Sequence, residues 1–248
     1  MPSTHPPLAG GSAIVLGAAG GIGRACAERL AEGGAQVVAV DRHEAVRELP
    51  GCRAVVGDAA DEAVLARAFA ACERPPFAVV HALLAEHRAP LAEQTAEAWH
   101  QVFDTTVVSA WRAGAALLRA AAGRPASLVL IGSVHAHGAV PGMAPYAVAK
   151  AGLAALARAA AVEWGPAGLR CNVVEPGFVA VARNAHRWQE PAERERILAG
   201  YPLGRPAGPE EVAEVVAFLA GPGSGYVNGV CLPVDGGALA VLPEVSVR

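Results

Sequence analysis

Short apolar segments alternate with longer segments of helical periodicity along most of this chain. The short segments are rich in Val and Ile with little polar alternation, which predicts strands covered on both faces; they span residues 13–16, 36–40, 54–56, 78–81, 127–131, 170–174 and 231–234. Helices are predicted over residues 22–32, 62–71, 96–118, 146–164 and 210–219. This order predicts one α/β domain, a doubly wound parallel sheet with helices on both faces.

Two segments depart from this alternation. Residues 1–11 are rich in Pro and small residues and lack the basic start and apolar core of a signal peptide, so we expect a flexible leader before a domain over residues 12–248. Residues 178–206 are polar, charged and interrupted by Pro and Gly. Long irregular insertions in compact domains are usually functional or mobile. We interpret this segment as a lid over a substrate pocket.

Composition narrows the classes of function. The chain has 248 residues, 53% of them hydrophobic, and a formal net charge of −3. Nothing in this balance favours a nucleic acid or a membrane surface as partner, and no apolar run is long enough for a membrane span. The five cysteines are scattered and form no C-x-x-C pair, which indicates reduced thiols in a cytoplasmic protein.

A glycine-rich turn joins the first predicted strand to the first predicted helix. Gly17, Gly20, Gly21 and Gly23 permit a tight turn and a close approach of backbone. The helix N-terminus that follows offers N–H groups and a positive dipole end to a pyrophosphate. A plain tight turn would also use glycines, but the position within a strand–helix–strand unit favours a dinucleotide site.

Two aspartates follow the second and third predicted strands. Asp41 could accept both hydroxyls of an adenosine ribose and would repel a 2′-phosphate, which favours NAD over NADP. Arg42 weakens that preference because a guanidinium there could bind a phosphate. Asp58 could hydrogen-bond the adenine amino group, although an aspartate at this place equally often caps a loop.

Tyr146 and Lys150 are four residues apart on a predicted helix, so they share one face. A neighbouring ammonium favours the phenolate and would lower the pKa of the phenol toward working pH. The pair is therefore a candidate acid/base device for a carbonyl oxygen. By itself, such a pair would more often be an ordinary helix face.

Taken together, these residues resemble the short-chain dehydrogenases/reductases. The resemblance covers residues 12–237 and rests on motifs in the family's order and spacing: the glycine turn, Asp41, Asp58, Ser133, Tyr146-x-x-x-Lys150, Pro176-Gly177 and the tail Val234-Asp235-Gly236-Gly237. It implies a single-domain Rossmann fold of about seven parallel strands. It also implies a nicotinamide cofactor, hydride transfer between a secondary alcohol and a ketone, and a homo-oligomer, either a dimer or a tetramer, paired through long central helices.

The resemblance also implies roles for individual residues. Tyr146 would be the acid/base, Lys150 would lower its pKa and bind the nicotinamide ribose, and Ser133 would polarise the substrate oxygen. The cofactor would contact Gly17, Ala19, Gly20, Gly21, Ile22, Asp41, Asp58, Ala59, His81, Ala82, Tyr146, Lys150, Pro176, Gly177 and Val179. The substrate would meet Ser133, with His135 and Trp188 as further candidates. No third ligand accompanies His135 and His137, so we expect no metal.

The pocket segments indicate a class of substrate. The loop after Ser133 is mostly apolar, whereas the lid combines Phe178 and Trp188 with Arg183 and Arg187. That mixture suits an amphipathic or weakly acidic small molecule, although the arginines could equally form a solvated helix face.

Four residues or runs depart from the family's pattern. Leu16 and Val181 replace hydroxyl residues, and His81-Ala82-Leu83-Leu84 replaces an Asn-Asn-Ala-Gly run. His81 is then either a core histidine or a polar replacement near the cofactor. Thr106 stands where the family has a catalytic asparagine, which holds a helix irregularity and a water leading to the lysine.

These departures leave three hypotheses open. In the first, an active enzyme relays its proton through Thr106 and water. In the second, the chain is a cofactor-binding scaffold with weak or no turnover. In the third, it catalyses a related non-redox step such as dehydration or isomerisation. The intact set of Ser133, Tyr146 and Lys150 favours the first hypothesis.

Overall fold

The computed structural model describes residue 8 and residues 10–242. Over these residues seven strands alternate with helices. The strands are β1 (Ser12–Leu16), β2 (Gln36–Asp41), β3 (Cys52–Val56), β4 (Pro76–His81), β5 (Ala126–Ile131), β6 (Leu169–Pro176) and β7 (Cys231–Val234). The helices are α1 (Gly21–Glu32), α2 (Glu62–Ala70), α3 (Ala96–Phe103), α4 (Ser109–Ala121), α5 (Ala144–Trp164), α6 (Ala185–Trp188), α7 (Pro191–Leu198) and α8 (Pro209–Ala220).

The strands form one parallel sheet in the order β3-β2-β1-β4-β5-β6-β7. The predicted doubly wound sheet is therefore confirmed. Residues of α1 and α8 pack on one face, and residues of α2, α4 and α5 pack on the other. The winding reverses between β1 and β4, which opens a crevice at the carboxyl ends of the strands. The glycine turn of residues 17–23 and the segment after β4 border this crevice.

The predicted helix over residues 96–118 is interrupted. Its middle, Asp104–Val108, is π-helical and separates α3 from α4. A π-helical turn accommodates one extra residue and is frequent at functional sites. It therefore changes which side chains α4 presents to the sheet. The second part ends at Ala122, whose φ of 49° is left-handed.

The two irregular segments of the sequence differ from their predictions in part. Of the predicted leader, residues 1–7 and 9 lie outside the described residues; Leu8 is buried, and its N–H donates to the Gly33 carbonyl at 2.9 Å. The predicted lid is not wholly irregular, because it contains α6 and α7. Val179 bridges to Ala207 at its base, and Leu198 of α7 is buried.

Two properties of the described residues bear on membrane insertion and on redox state. No helix among residue 8 and residues 10–242 is both long enough and apolar enough to cross a membrane. Cys26, Cys52, Cys72, Cys171 and Cys231 are all free thiols. Burial raises the pKa of Cys26 and of Cys171 to about 12, so both thiols stay protonated.

Candidate active site

The backbone packs so closely at the glycine turn that side chains on Gly17 and Gly23 would collide with other backbone atoms. Gly17 has a φ of +85°, and a Cβ there would lie 2.7 Å from the Ala82 carbonyl oxygen. Its N–H donates to the Val40 carbonyl at 2.8 Å. A Cβ on Gly23 would collide with the Gly17 carbonyl. The start of α1 therefore lies directly against the turn, as a pyrophosphate site requires.

The helix that follows the turn begins without a side-chain cap. Gly20 is its N-cap residue, with no side-chain hydrogen bond, and α1 starts at Gly21 and Ile22. The first N–H groups of a helix have no acceptor within that helix. A Cβ on Gly21 would collide with Val181 of the lid, so the base of the lid covers this turn. Backbone donors beside a glycine cradle fit the phosphates of a dinucleotide.

Asp41 ties the end of β2 to the glycine turn. Its Oδ2 accepts from the Ala19 N–H and its Oδ1 accepts from the His43 N–H, both at 2.9 Å. A carboxylate has about four lone-pair sites, so each oxygen can still accept a hydrogen bond from a hydroxyl. Arg42 is exposed beside it. The carboxylate therefore fits a ribose diol, and the guanidinium is free to turn toward a phosphate.

Asp58 caps the turn after β3. Its Oδ1 accepts from the Ala60 N–H at 2.9 Å, while its neighbour Ala59 is buried. The structure thus shows the loop-capping role for Asp58, and the predicted contact with adenine stays a prediction. At the other side of the crevice, Gly177 follows β6, and a Cβ there would lie 2.8 Å from the ring of Tyr201.

Tyr146 and Lys150 lie on one face of α5, at its N-terminal end. The Lys150 Nζ atom is 5.6 Å from the centroid of the Tyr146 ring. It donates to the Ile131 carbonyl at the end of β5, with a distance of 2.6 Å. Lys150 is almost fully buried, and burial lowers its pKa to about 8. The buried ammonium is thus held between the phenol and the sheet.

The prediction that the pKa of Tyr146 is lowered is wrong for this structure. Burial raises the pKa of Tyr146, and the hydrogen bond with Ser133 is the main influence in the opposite direction. The reason is desolvation, because the phenolate loses more hydration in this pocket than nearby positive charge restores. Ser133 is itself buried, and its Oγ accepts from the His135 N–H at 3.2 Å.

Thr106 lies in the π-helical segment between α3 and α4. It is fully buried, and its Oγ1 has no hydrogen-bond partner among the described residues. Helix α5 passes close to this segment, since a Cβ on Gly152 would lie 3.3 Å from Val107. The helix irregularity expected around an asparagine is thus present with threonine at its centre.

His81 is a fully buried histidine at the end of β4. Its Nε2 lies 2.7 Å from Ser109 Oγ, which in turn donates to the Thr105 carbonyl at 2.5 Å. Because the hydroxyl proton is used there, we assign the imidazole proton to Nε2. Nδ1 is then a bare acceptor, with no partner in the part of the chain described. Burial, followed by the charge of Lys150, lowers the pKa of His81 to about 3, so the ring is neutral.

The predicted substrate residues lie around Tyr146 and the lid. His135 packs edge-on against the Tyr146 ring, with centroids 5.5 Å apart. Burial lowers the pKa of His135, and the charges of Arg187 and Arg88 lower it further. Trp188 instead anchors the lid, since its indole N–H donates to the Val181 carbonyl at 3.1 Å.

Glu86 and Arg88 are site residues that the sequence interpretation missed. Glu86 Oε1 lies 3.2 Å from Arg183 Nη1 and 3.6 Å from Arg88 Nε, which links the segment after β4 to the lid. Both residues influence the pKa of His135. The available signal was a polar run directly after β4, because ligands bind outside the carboxyl ends of strands at a switch point. No group of three metal-ligating side chains occurs among residue 8 and residues 10–242.

Comparison with known proteins decides the family. The family profile described as enoyl-(acyl carrier protein) reductase matches residues 17–238. The chain belongs to the short-chain dehydrogenases/reductases. Cis-4-hydroxycyclohexanecarboxylate dehydrogenase of Sinomonas cyclohexanicum is 39% identical over 92% of this chain and 96% of its own length. Human L-xylulose reductase is 33% identical over 93% of this chain and 97% of its own.

Solved structures of other family members support the same fold and bear on the cofactor. A gluconate 5-dehydrogenase from Burkholderia cenocepacia, in complex with NADP and tartrate, is 28% identical over 95% of this short-chain dehydrogenase/reductase and 98% of its own length, with a TM-score of 0.87. A putative NAD(P)-dependent gluconate 5-dehydrogenase from Beutenbergia cavernae, with NADP at low occupancy, is 33% identical over 96% of this chain and 100% of its own, with a TM-score of 0.88. The family binds NAD(P), and these complexes give no support to the predicted preference for NAD.

Proposed function

We propose that this protein is an NAD-dependent oxidoreductase that interconverts a secondary alcohol and a ketone on a small carboxylate-bearing substrate. The observation that carries the proposal is the meeting of Tyr146 and Lys150 at the end of β5, where Ser133 follows, on the edge of the sheet at which the glycine turn follows β1. A proton donor, a hydroxyl that orients the substrate oxygen and a buried ammonium meet there, next to a cradle suited to a dinucleotide.

The residues would divide the proton chemistry between them. Burial keeps the proton on Tyr146 in the resting state, so the phenol is ready to donate to a carbonyl oxygen during reduction. Ser133, whose hydroxyl lowers the pKa of this phenol, would orient the same oxygen. When bound, the nicotinamide cofactor supplies or accepts the hydride. In the oxidative direction Tyr146 must first lose its proton, and the charge of Lys150 would then stabilise the phenolate.

The preference for NAD is supported by Asp41. Its carboxylate lies at the end of β2, held by the N–H groups of Ala19 and His43, where it would face the 2′ position of the ribose. A 2′-phosphate there would meet a fixed negative charge. The exposed Arg42 works against this preference. Calorimetric titration with NAD and NADP tests the proposal, and tighter binding of NADP would overturn it.

A carboxylate on the substrate is supported by the arginines beside the catalytic side chains. After burial, Arg187 and Arg88 are the strongest influences on the pKa of His135, and Arg183 also lowers the pKa of Tyr146. The Arg187 guanidinium lies 5.5 Å from the centroid of the Phe178 ring, which places a cation beside an apolar wall. Two relatives are named for hydroxy-carboxylates, cis-4-hydroxycyclohexanecarboxylate and gluconate.

The decisive experiment follows NADH absorbance across a panel of alcohols and ketones. The panel begins with cis-4-hydroxycyclohexanecarboxylate and gluconate and pairs each acid with its neutral methyl ester. We expect turnover that favours the acid by about tenfold or more in kcat/KM, as for one well-placed charge-assisted hydrogen bond. Equal rates for acid and ester would reject a substrate carboxylate.

The free cysteines fit a reducing compartment, which supports a cytoplasmic location.

A second candidate function is a cofactor-binding scaffold. It is favoured by two buried atoms that lack a hydrogen-bond partner among the described residues, Thr106 Oγ1 and His81 Nδ1. Both residues depart from the family's pattern. A scaffold of this kind would bind NADH measurably and turn over no member of the panel. The third hypothesis, a non-redox step, predicts loss of substrate without any change in NADH absorbance.

A further inference from the structure

Glu175 is a buried carboxylate for which the reaction above has no use. It is the only acidic side chain among the buried polar residues of the described chain, and it is fully enclosed. It ends the apolar part of β6, directly before Pro176. On the neighbouring strand, the Gly132 N–H donates to the Val174 carbonyl at 2.7 Å, and a Cβ on Gly132 would lie 3.1 Å from Glu175 Cγ. The carboxylate therefore lies beneath the residue that precedes Ser133.

The partner of this carboxylate comes from the loop after Ser133. His137 Nε2 lies 2.7 Å from Glu175 Oε2, while the histidine side chain is 47% exposed. We assign the donor role in this hydrogen bond to Nε2, because a carboxylate oxygen accepts. The other oxygen, Oε1, has no hydrogen-bond partner in the chain as described. Cys231 on β7 lies beside the carboxylate, which raises the pKa of that thiol together with burial.

A buried carboxylate is costly unless it is paired. The sheet side of the pair is rigid, because Glu175 belongs to a strand with neighbours on both edges. The loop side is held by its own short turns, in which the Ala136 N–H donates to the Ser133 carbonyl and the His137 N–H donates to the Val134 carbonyl. Its two ends are also held, by the contact of His135 with Tyr146 and by the Ala89 N–H, which donates to the Gly142 carbonyl. Among the described residues, the pair with Glu175 is the side-chain hydrogen bond that joins the middle of this loop to the sheet.

We propose that Glu175 and His137 form a positioning pair that fixes the substrate-side loop, residues 134–143, over the catalytic side chains. The loop begins at Ser133 and ends at α5, and it carries His135, whose ring meets the edge of Tyr146. An anchor at His137 holds both the Ser133 hydroxyl and the His135 ring in register with Tyr146. The inference rests on the proposed function only for its kinetic consequence, since the pair itself is a feature of the fold.

The kinetic test separates positioning from simple stability. Glu175→Leu, which keeps the volume of the side chain but removes both acceptor oxygens, is expected to raise the KM of the substrate by about tenfold, because loss of the anchor misplaces the substrate-side loop. The Kd for NADH, measured by fluorescence titration, is expected to stay within about twofold, because Asp41 and the glycine turn are untouched. His137→Ala should reproduce this effect, whereas His137→Gln, which retains a side-chain N–H donor, should recover most of the wild-type KM. Equal losses in His137→Gln and His137→Ala would overturn the proposal.

A second test needs no turnover and therefore survives a failure of the proposed function. In proton NMR, the Nε2 proton of His137 is expected as a downfield, slowly exchanging signal that disappears in Glu175→Leu and in His137→Ala. Amide exchange at Ala136 and His137 should accelerate in both variants, with exchange in the glycine turn unchanged. His100→Ala, which removes an exposed histidine of α3, is the control and should change neither measurement. Retention of the signal in Glu175→Leu, or unchanged amide exchange in the loop, would reject the positioning pair.

Discussion

Tyr146 is the residue on which the proposed chemistry depends most directly. We expect Tyr146→Phe to lower kcat by about 10²–10⁴, the range of a single general acid/base, because the ring stays in place without its transferable proton. Cofactor affinity should be nearly unchanged, as measured by NADH fluorescence beside the absorbance assay. A variant that retained most of its activity would exclude Tyr146 as the proton donor.

Thr106 tests how Lys150 is connected to solvent. Its hydroxyl is buried without a partner in the described structure, inside a π-helical segment that already has the irregular shape expected around an asparagine. Thr106→Asn should therefore leave turnover unchanged or raise it, because an amide offers both a donor and an acceptor to a relay water. Thr105→Asn, one position away, is the matched control. Complete loss of activity in Thr106→Asn alone would show that the threonine has a role of its own.

His81 gives the protein a predictable sensitivity to acid. Its pKa is about 3 in the folded chain, against an ordinary value of 6.5. Between these values the unfolded chain binds a proton that the folded chain does not, so stability falls as the pH falls through this window. The full effect is on the order of 5 kcal/mol.

Replacing His81 by asparagine should remove this sensitivity. We expect the free energy of unfolding of His81→Asn, measured in urea at pH 7 and pH 4.5, to fall less on acidification than that of the wild type. The comparison isolates His81, because every other titrating group is shared by the two chains. Parallel losses in both proteins would show that His81 binds its proton in the folded state.

At the scale of elements, the glycine turn combines folding and binding. Gly23→Ala would drive a methyl group into the Gly17 carbonyl, and a backbone atom cannot move aside as a side chain does. We expect a loss of about 1–3 kcal/mol in the free energy of unfolding, together with weaker NADH binding. Gly200→Ala is the control, since a Cβ there meets nothing within 4 Å. Equal stabilities of the two variants would show that α1 can retreat from the turn.

The elements differ in how far the sequence could predict them. The strands were predictable because runs such as Val37–Val40 are apolar on both faces of a covered sheet. Periodicity did not reveal the π-helical segment, since one extra residue hardly alters the apolar pattern of the helix around it, and only the family resemblance at Thr106 implied an irregularity there. Helices α6 and α7 are too short and too polar for periodicity to reveal them. The segment that carries them is also tied to a part of the chain distant in sequence, through the ion pair of Arg183 with Glu86.

At the scale of the whole molecule, packing between distant segments also limited what the sequence could predict of the candidate site. Spacing alone placed Tyr146 and Lys150 on one helix face, which the structure reproduces. The direction of the Tyr146 pKa shift is set first by burial, and the charges of Glu86 and Arg183, both distant in sequence, act on it in opposite directions. The burial of Glu175 could not be predicted for a related reason, because a polar residue near the end of a strand could equally be solvated. Long-range packing, rather than local pattern, decides these electrostatic properties.

The outer face of α5 predicts how whole molecules assemble. Val148 and Val162 are exposed, Val162 by 75%, and they lie on one stripe of the helix, while Trp111 on α4 is 50% exposed. Exposed apolar stripes of this kind indicate a protein–protein interface. We expect a homo-oligomer, a dimer or tetramer by light scattering after size-exclusion chromatography, in which Val162→Glu shifts the mass toward the monomer. Leu91→Glu, which adds the same charge at an exposed leucine outside these helices, is the control. A wild-type protein that is monomeric at every concentration, or equal dissociation by both substitutions, would contradict assembly through this face.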